Sequence, residues 1–341
     1  MTGHGVAYIT CRGPTVGNWG LVDPPLAPRQ AAAAIRQGQA VADSGVSHEP
    51  ASADDLEEAA AIFMSVRPRL FGIAYRMLSS ATEAEDLVQE VWLRWQTADR
   101  GAVVNPAAFL ATTTTRLAIN ALQSARVRRE TYIGPWLPEP VDTSADPYLG
   151  AERGEALEFA ALLLMEKLTP NERAAYVLRE AFDYPYAQIA DILQSTEPAV
   201  RQLVSRARRG IASERRTPVS AAAQRELLTT FITAARSGDV TALERLLAAD
   251  VTNLADGNGA LGVARRLLVG VVRVTKFLNA ITWFWDGLDV QWADTNGQTS
   301  AVLRRDGEVA AVLTVSASTE GIDQVLWMMN PEKNRAVSTP A

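Results

Sequence analysis

Apolar positions recur every three or four residues along the first part of this chain and switch to alternation near its end. From Leu56 to Leu78 the recurring positions are Ile62, Phe63, Val66, Leu70, Ile73, Ala74 and Met77, which predicts an amphipathic helix. Thr82-Glu83-Ala84-Glu85-Asp86 starts a second helix with acids at the positive end of its dipole. Leu87, Val88, Val91, Trp92 and Trp95 form its apolar stripe, and at this spacing the tryptophans read as core, with a base-stacking platform as the alternative. Asp86, Glu90 and Arg94 share another face at i, i+4 spacing, with Gln89 beside it. Asn105-Pro106 starts a third helix through Phe109, Leu110, Leu117, Ile119 and Leu122. Its run Thr112-Thr113-Thr114-Thr115 is unusual in a helix interior, where β-branched hydroxyl residues propagate poorly. Those hydroxyls, beside Arg116, Asn120 and Gln123, suit nucleic-acid contact or a tolerated polar face equally well.

A second helical group follows. Thr169-Pro170-Asn171-Glu172 has a cap, a proline at the first helical position and the glutamate of a capping box. A helix from Tyr186 to Leu193, the turn Gln194-Ser195-Thr196 and a helix from Glu197 to Arg209 then read as a helix-turn-helix. In the last helix Val200, Leu203, Val204 and Ala207 point inward, leaving Arg201, Gln202, Ser205, Arg206, Arg208 and Arg209 outside. Arginine, glutamine and serine on a short helix suit base edges and phosphates in a major groove. The competing reading is a helical hairpin with a solvated basic face.

Residues 130–150 make a linker punctuated by Pro135, Pro138, Pro140 and Pro147, extended because each proline restrains itself and its predecessor. Tyr132, Trp136 and Leu137 are too apolar for a free linker, so it is expected to pack on something. Past Arg215-Arg216-Thr217-Pro218 the pattern predicts helices over Ala221–Ser237 and Val240–Ala248, a short strand over Val251–Leu254 and a helix over Val263–Leu278. Strands are expected over 282–291, 299–305, 309–316 and 324–329, with Asp306-Gly307 as a hairpin turn. The order of elements gives an all-α part, itself divisible in two, and a C-terminal α+β unit sized for a cone-shaped curved sheet closed by helices.

At 341 residues the chain has room for two or three domains, and 48% hydrophobic with 21% charged residues is ordinary for a globular protein. The net charge of −6 excludes a uniformly basic coat, yet Arg201 to Arg216 holds six arginines against one glutamate, a local patch of the kind DNA binding needs. With Cys11 alone, and histidines only at His4 and His48, there is no disulfide framework, no cysteine-based zinc site and no metal or cofactor to expect. No apolar run reaches the roughly 18 residues of a membrane span, and the start lacks a basic-then-apolar leader, so a cytoplasmic location is expected. Residues 1–54, rich in Gly and Pro and carrying Ala31-Ala32-Ala33-Ala34, read as a disordered extension with at most a short helix over 28–41.

With these pieces placed, the chain resembles the extracytoplasmic-function (ECF) sigma factors of bacterial RNA polymerase. Ala84-Glu85-Asp86-Leu87-Val88-Gln89-Glu90-Val91-Trp92-Leu93-Arg94 is similar to their core-polymerase-binding helix. Asn105 through Leu122 is similar to their promoter-melting, minus-ten-reading segment, and Leu168 to Arg209 to their minus-thirty-five reader. The rest is similar to a subgroup with a SnoaL-like (NTF2-like) extension. Trp136-Leu137-Pro138-Glu139-Pro140 resembles that subgroup's linker signature, and Asn330-Pro331-Glu332-Lys333-Asn334 its terminal Asn-Pro-Asp-Lys-Leu motif with two substitutions. Asp256-Gly257-Asn258-Gly259-Ala260 departs from its Asp-Gly-Gly-Gly-Lys loop by a glycine and the lysine.

The resemblance implies sigma region 2 over 55–129, a linker over 130–150, region 4 over 151–214 and a SnoaL-like regulatory domain over 219–335. It implies that Asp86, Gln89, Glu90 and Arg94 dock core RNA polymerase. Asn105, Phe109, Thr112, Arg116 and Asn120 would accept a flipped base of melted promoter DNA. Arg201, Gln202, Ser205 and Arg206 would read the upstream element, with Arg208 and Arg209 on phosphates. Trp136, Leu137, Pro138, Asp256, Asn330, Pro331 and Lys333 are the expected regulatory residues, through which the extension acts in cis on a factor that is monomeric off polymerase. A small ligand could bias that packing. The extension's fold also hosts enzymes, but Asp256, Asp286, Asp289 and Asp294 show no paired acid/base arrangement, so no catalysis is expected. Trp283, Phe284, Trp285 and Trp292 would line the cone or fill it. The alternative from another class is a conventional helix-turn-helix regulator with a ligand-sensing C-terminal domain.

Overall fold

Helix α1 (Ala53–Leu78) begins the described structure, a computed structural model that covers residues 53–338 apart from 131, 144–156, 215, 260–262 and 265. The N-terminal extension, with its expected short helix, lies outside the described residues. Ser79 takes φ 55 and ends α1; Ser80 Oγ then accepts from Glu83 N at 3.1 Å and starts α2 (Ala81–Thr97). Helix α3 (Pro106–Glu130) completes a three-helix unit. Its core is Phe63, Leu70, Ile73, Val88, Val91, Trp95, Leu110 and Leu122. Trp95 is 1% exposed and donates Nε1 to Ala59 O at 3.0 Å, so the core reading of that tryptophan holds, while Trp92 packs part-buried on Phe63.

The second helical unit holds α4 (Phe159–Met165), α5 (Pro170–Tyr176), α6 (Tyr186–Leu193) and α7 (Glu197–Ala212). Both halves of the capping box at Thr169 and Glu172 are formed. A π-helical turn, Val177–Ala181, extends α5 and was not legible in the periodicity. Between α6 and α7, Gln194 takes the left-handed conformation at φ 51 and Thr196 caps α7. Val200, Val204 and Ala207 are buried as expected; Leu203 is only partly so. The apolar faces of the two helical units merge into one continuous core, because Phe182, Ile189 and Val177 pack in the same cluster as Leu70, Ile73 and Leu110.

The C-terminal unit opens with α8 (Ala221–Ser237) and α9 (Val240–Leu246), followed by β1 (Leu247–Asp256), β2 (Leu268–Val269) and α10 (Val271–Ala280). Strands β3 (Asp289–Thr295), β4 (Gln298–Arg305), β5 (Glu308–Ser318) and β6 (Gly321–Met328) complete a six-stranded sheet of order β2-β1-β6-β5-β4-β3. A short helix α11 (Arg335–Ser338) follows. All strand pairs are antiparallel except β1 with β6, which is parallel.

Two sequence expectations need correction here. The helix expected over 263–278 is confined to α10, because Gly270 at φ 91 ends strand β2 immediately before it. The strand expected over 282–291 is a 3-10 turn, Thr282–Trp285, followed by β3. Its aromatic run looks like strand composition, but Phe284 and Trp285 turn inward together onto Trp327. Trp283, 59% exposed, borders the cone's cavity beside Phe284 and Trp327, whereas Trp292, 38% exposed, lies at the surface under Arg225.

Alternation along the strands divides the sheet. Ala301, Leu303, Leu313, Val315 and Trp327 face α8 and α10 as the cone's core. Val302, Val312, Leu326 and Met328 face the other way, where Leu137 of the linker and Phe159 of α4 cover them. The linker therefore packs, as its composition predicts, and the described residues from Ala53 onward belong to one compact unit.

Candidate polymerase, promoter and regulatory sites

On α2, Asp86, Gln89 and Arg94 are exposed and Glu90 is half-buried, with Arg94 Nε on Glu90 Oε1 at 2.8 Å. That i, i+4 pair is open to solvent and contributes at most about 0.5 kcal/mol. Beside it runs a groove of about 290 Å³ between α2 and α3, lined by Glu83, Asp86, Leu87, Glu90, Leu117 and Ala121. An acidic rim over apolar walls suits a basic amphipathic partner.

The expected minus-ten residues stand at i, i+4, i+7, i+11 and i+15 from the cap of α3 along the helix, and so share one face of it. Asn105 is exposed and caps the helix, accepting from Ala108 N at 3.0 Å. Phe109 packs its ring 5.7 Å from that of Trp95. Thr112, Thr113, Thr114 and Thr115 each donate their hydroxyl to the carbonyl four residues back, at 2.8 to 2.9 Å, and Thr114 and Thr115 are fully buried. The threonine run is thus explained by back-bonding, which satisfies hydroxyls inside a helix. Asn120 is exposed. Arg116 turns to the second helical unit and donates Nε to Ile192 O at 2.9 Å and Nη2 to Asp191 O at 3.1 Å, at the carboxyl end of α6.

On α7, Arg201, Gln202, Ser205, Arg206, Arg208 and Arg209 are all exposed. Three of the arginines hold glutamates of their own unit: Arg201 on Glu197 at 2.5 Å, Arg206 on Glu172 at 2.8 Å and Arg208 on Glu180 at 2.7 Å. Arg201 also lies 4.4 Å over the ring of Tyr186. Partial burial works to raise the Glu172 carboxyl, yet hydrogen bonds from Thr169 and Arg206 outweigh it and hold it below the ordinary carboxylate range.

The expected regulatory residues meet, although the sequence separates them by up to about two hundred positions. Asp256, fully buried at the end of β1, accepts from Tyr132 Oη at 2.5 Å, Leu137 N at 2.8 Å and Lys333 Nζ at 2.7 Å. Lys333 also donates to Leu137 O at 2.6 Å and lies 4.2 Å over the Trp136 ring. Asn330 Nδ2 donates to Tyr132 Oη at 3.0 Å. Gly259, at φ 80, sits with Ile133 about 3.3 Å from where a Cβ would stand, so the loop closes directly on the linker. Burial raises the Tyr132 phenol, and the Asp256 carboxylate raises it further, keeping it a hydroxyl donor. Pro138 is buried in the linker; Pro331 is an exposed turn residue outside the cluster.

Several residues at these junctions escaped the sequence reading. Arg173 is 1% exposed and joins the helical units through Glu166 Oε1 at 2.5 Å, Ser79 Oγ at 2.6 Å and Arg76 O at 2.9 Å. Glu139 accepts from Ser80 Oγ at 2.8 Å and Thr82 N at 3.0 Å, so the linker places a carboxylate at the amino end of α2. Asn296 reaches the same junction from the sheet. Only Asn296-Gly297 carried a usable signal, as a hairpin dipeptide like Asp306-Gly307.

Comparison with known proteins accounts for both helical units. Residues 62–128 match sigma-70 region 2 and residues 158–210 match sigma-70 region 4. Two such regions in series define a promoter-specificity subunit of bacterial RNA polymerase. Over 289 residues the chain is 36% identical to the ECF RNA polymerase sigma factor SigJ of Mycobacterium tuberculosis, an alignment spanning 80% of this chain and 91% of that protein. It is 32% identical over 288 residues to the probable ECF RNA polymerase sigma factor SigI of the same species, spanning 83% and 94%. The crystal structure of Mycobacterium tuberculosis SigJ superposes with a TM-score of 0.66 at 30% identity, covering 82% of this chain and 99% of that one. The chain belongs to the ECF RNA polymerase sigma factors, with two all-α sigma domains and a C-terminal α+β, SnoaL-like domain.

Proposed function

We propose that this sigma factor docks core RNA polymerase through Asp86, Gln89, Glu90 and Arg94, and that the structure is its closed, promoter-incompetent form. The carrying observation is the Arg116 contact with Ile192 O and Asp191 O. Promoter elements ten and thirty-five positions upstream lie roughly 25 base pairs apart, about 85 Å of duplex at 3.4 Å per pair. A minus-ten residue touching the minus-thirty-five domain cannot serve both elements, so the domains separate on polymerase. Asn105, Phe109, Thr112, Arg116 and Asn120 then meet the melted strand, and Arg201, Gln202, Ser205 and Arg206 the upstream duplex, with Arg208 and Arg209 on phosphates. Each arginine paired with a glutamate exchanges it for a DNA acceptor.

The domain limits that fit are region 2 over 55–129, region 4 over 151–214 and the extension over 219–335. The extension acts in cis, through Asp256, Asn330 and Lys333 on Trp136, Leu137 and Pro138. It is a regulator rather than an enzyme. A ligand finds little room in the cone, where Phe277, Trp283, Phe284 and Trp327 leave a cavity of about 20 Å³, the scale of one water. Off polymerase the factor is a monomer, since its own linker and α4 cover the sheet's outer face. It acts where polymerase is, in the cytoplasm, and no described helix is long and apolar enough to cross a membrane.

Promoter-directed transcription with bacterial core polymerase tests this. Initiation should require the protein and fail when Asp86 and Glu90 are reversed to lysine, and deletion after Pro218 should change its level. Tight duplex binding by the protein alone, with no effect on core polymerase, would overturn the reading in favour of a conventional regulator.

A further inference from the structure

The β3–β4 hairpin turns on Asn296 and Gly297, both at positive φ, 56 and 73. Its tip points away from the cone, into the seam where the linker, region 2 and region 4 meet. Asn296 is fully buried there, although hairpin tips ordinarily face water. One amide hydrogen of its side chain goes to Tyr75 Oη of α1 at 2.6 Å and another to Leu157 O, just before α4, at 3.1 Å. Its Oδ1 accepts from Val141 N of the linker at 2.9 Å, and its backbone N donates to Val141 O at 2.9 Å. Gly297 N adds a bond to Thr143 Oγ1 at 3.0 Å.

We infer that Asn296 is a latch: one side chain of the extension holds region 2, the linker and region 4 in the closed arrangement, and its release is required for polymerase and promoter to be engaged. This deepens, and rests on, the reading of the extension as a regulator in cis. The chemistry is specific to a carboxamide, which supplies two donors and an acceptor from one planar group. Tyr75 completes the relay by accepting from Asn296 while donating its hydroxyl to Glu139 O at 2.6 Å. Burial raises its phenol far above neutral pH, so it remains a hydroxyl able to do both. Glu139 in turn holds the start of α2, the polymerase-docking helix, which ties the latch to the surface that polymerase must reach. In the open form Asn296 returns to water at the tip of a hairpin and loses nothing that water does not replace. The latch therefore stabilises the closed form selectively, which a switch requires.

The test uses the full-length chain and Asn296→Gly. Glycine keeps the positive-φ hairpin, as a Gly-Gly turn, and deletes only the side chain. The half-saturating concentration of the factor in promoter-directed transcription should fall roughly tenfold, because a larger fraction of the chain is competent to bind. Its radius of gyration in solution, measured without polymerase, should rise. Tyr75→Phe, which keeps the ring stacked on Phe71, should act in the same direction, and the double variant should fall short of the sum of the two. An unchanged radius and half-saturating concentration in a folded Asn296→Gly protein would overturn the latch while leaving the sigma assignment standing. Failure of both wild type and Asn296→Gly to support initiation would instead overturn the proposed polymerase docking, and the scattering comparison would still decide the latch.

Discussion

Asp256 and Lys333 form an ion pair with exposures of 0% and 8%, so each carries the other's charge out of water. Breaking such a pair from one side leaves an uncompensated buried charge, worth about 3–5 kcal/mol. Lys333→Met is therefore expected to lower the extension's stability by that order in urea unfolding and to expose the 132–143 linker to proteolysis. Asp256→Asn combined with Lys333→Met should recover part of the loss, and equal stability of all three proteins would contradict the role given to the pair. The sequence made these residues candidates through the motifs they belong to. It gave no sign that the cation facing Asp256 is Lys333, from the chain's far end.

At the level of elements, the helix-turn-helix was legible because its signals are local. Thr169, Pro170 and Glu172 fix one start, Thr196 another, and the apolar spacing fixes the buried faces. Its turn carries one unfavourable residue, Gln194 at φ 51, a conformation costing an L-residue about 1 kcal/mol. Gln194→Gly should raise the melting temperature by a few degrees without altering DNA binding. Glu172, whose carboxyl is held low by Thr169 and Arg206, contributes stability that is full above the ordinary carboxylate range near 4.3 and is lost as pH falls through its lower folded value. Melting curves of wild type and Glu172→Gln should therefore differ by about 1 kcal/mol at neutral pH and converge on acidification. Elements placed by aromatic composition were misread. The run from Thr282 to Trp285 became a 3-10 turn because burying Phe284 and Trp285 beside Trp327 outweighs strand propensity.

For the whole molecule, the closed arrangement rests on a shared core and a few polar contacts: Arg116 on α6, Arg173 on Ser79 and Glu166, and Asn296 on Tyr75 and Leu157. Arg116→Ala should loosen region 2 from region 4, seen as a larger radius of gyration. It should also weaken transcription from promoters that depend on minus-ten contact, a pair of effects expected only if one side chain serves both forms. An unchanged radius would mean that the shared core alone holds the domains.

The sequence by itself determined the order of most elements and the face most helices bury, because caps, turns and apolar periods act within a few residues of one another, while the two sigma regions were carried by the resemblance of their motifs. Tertiary structure alone decided where those faces meet. Arg116 could be read as a DNA contact from its place on α3, but its actual partners are carbonyls some seventy-five residues away. Arg173, a charged residue with no local signal, is buried between the helical units, and Asn296, at a hairpin turn, is buried at their junction with the sheet. Hydrogen-bond partners at such separations are set by how whole elements dock, and no local pattern records that docking.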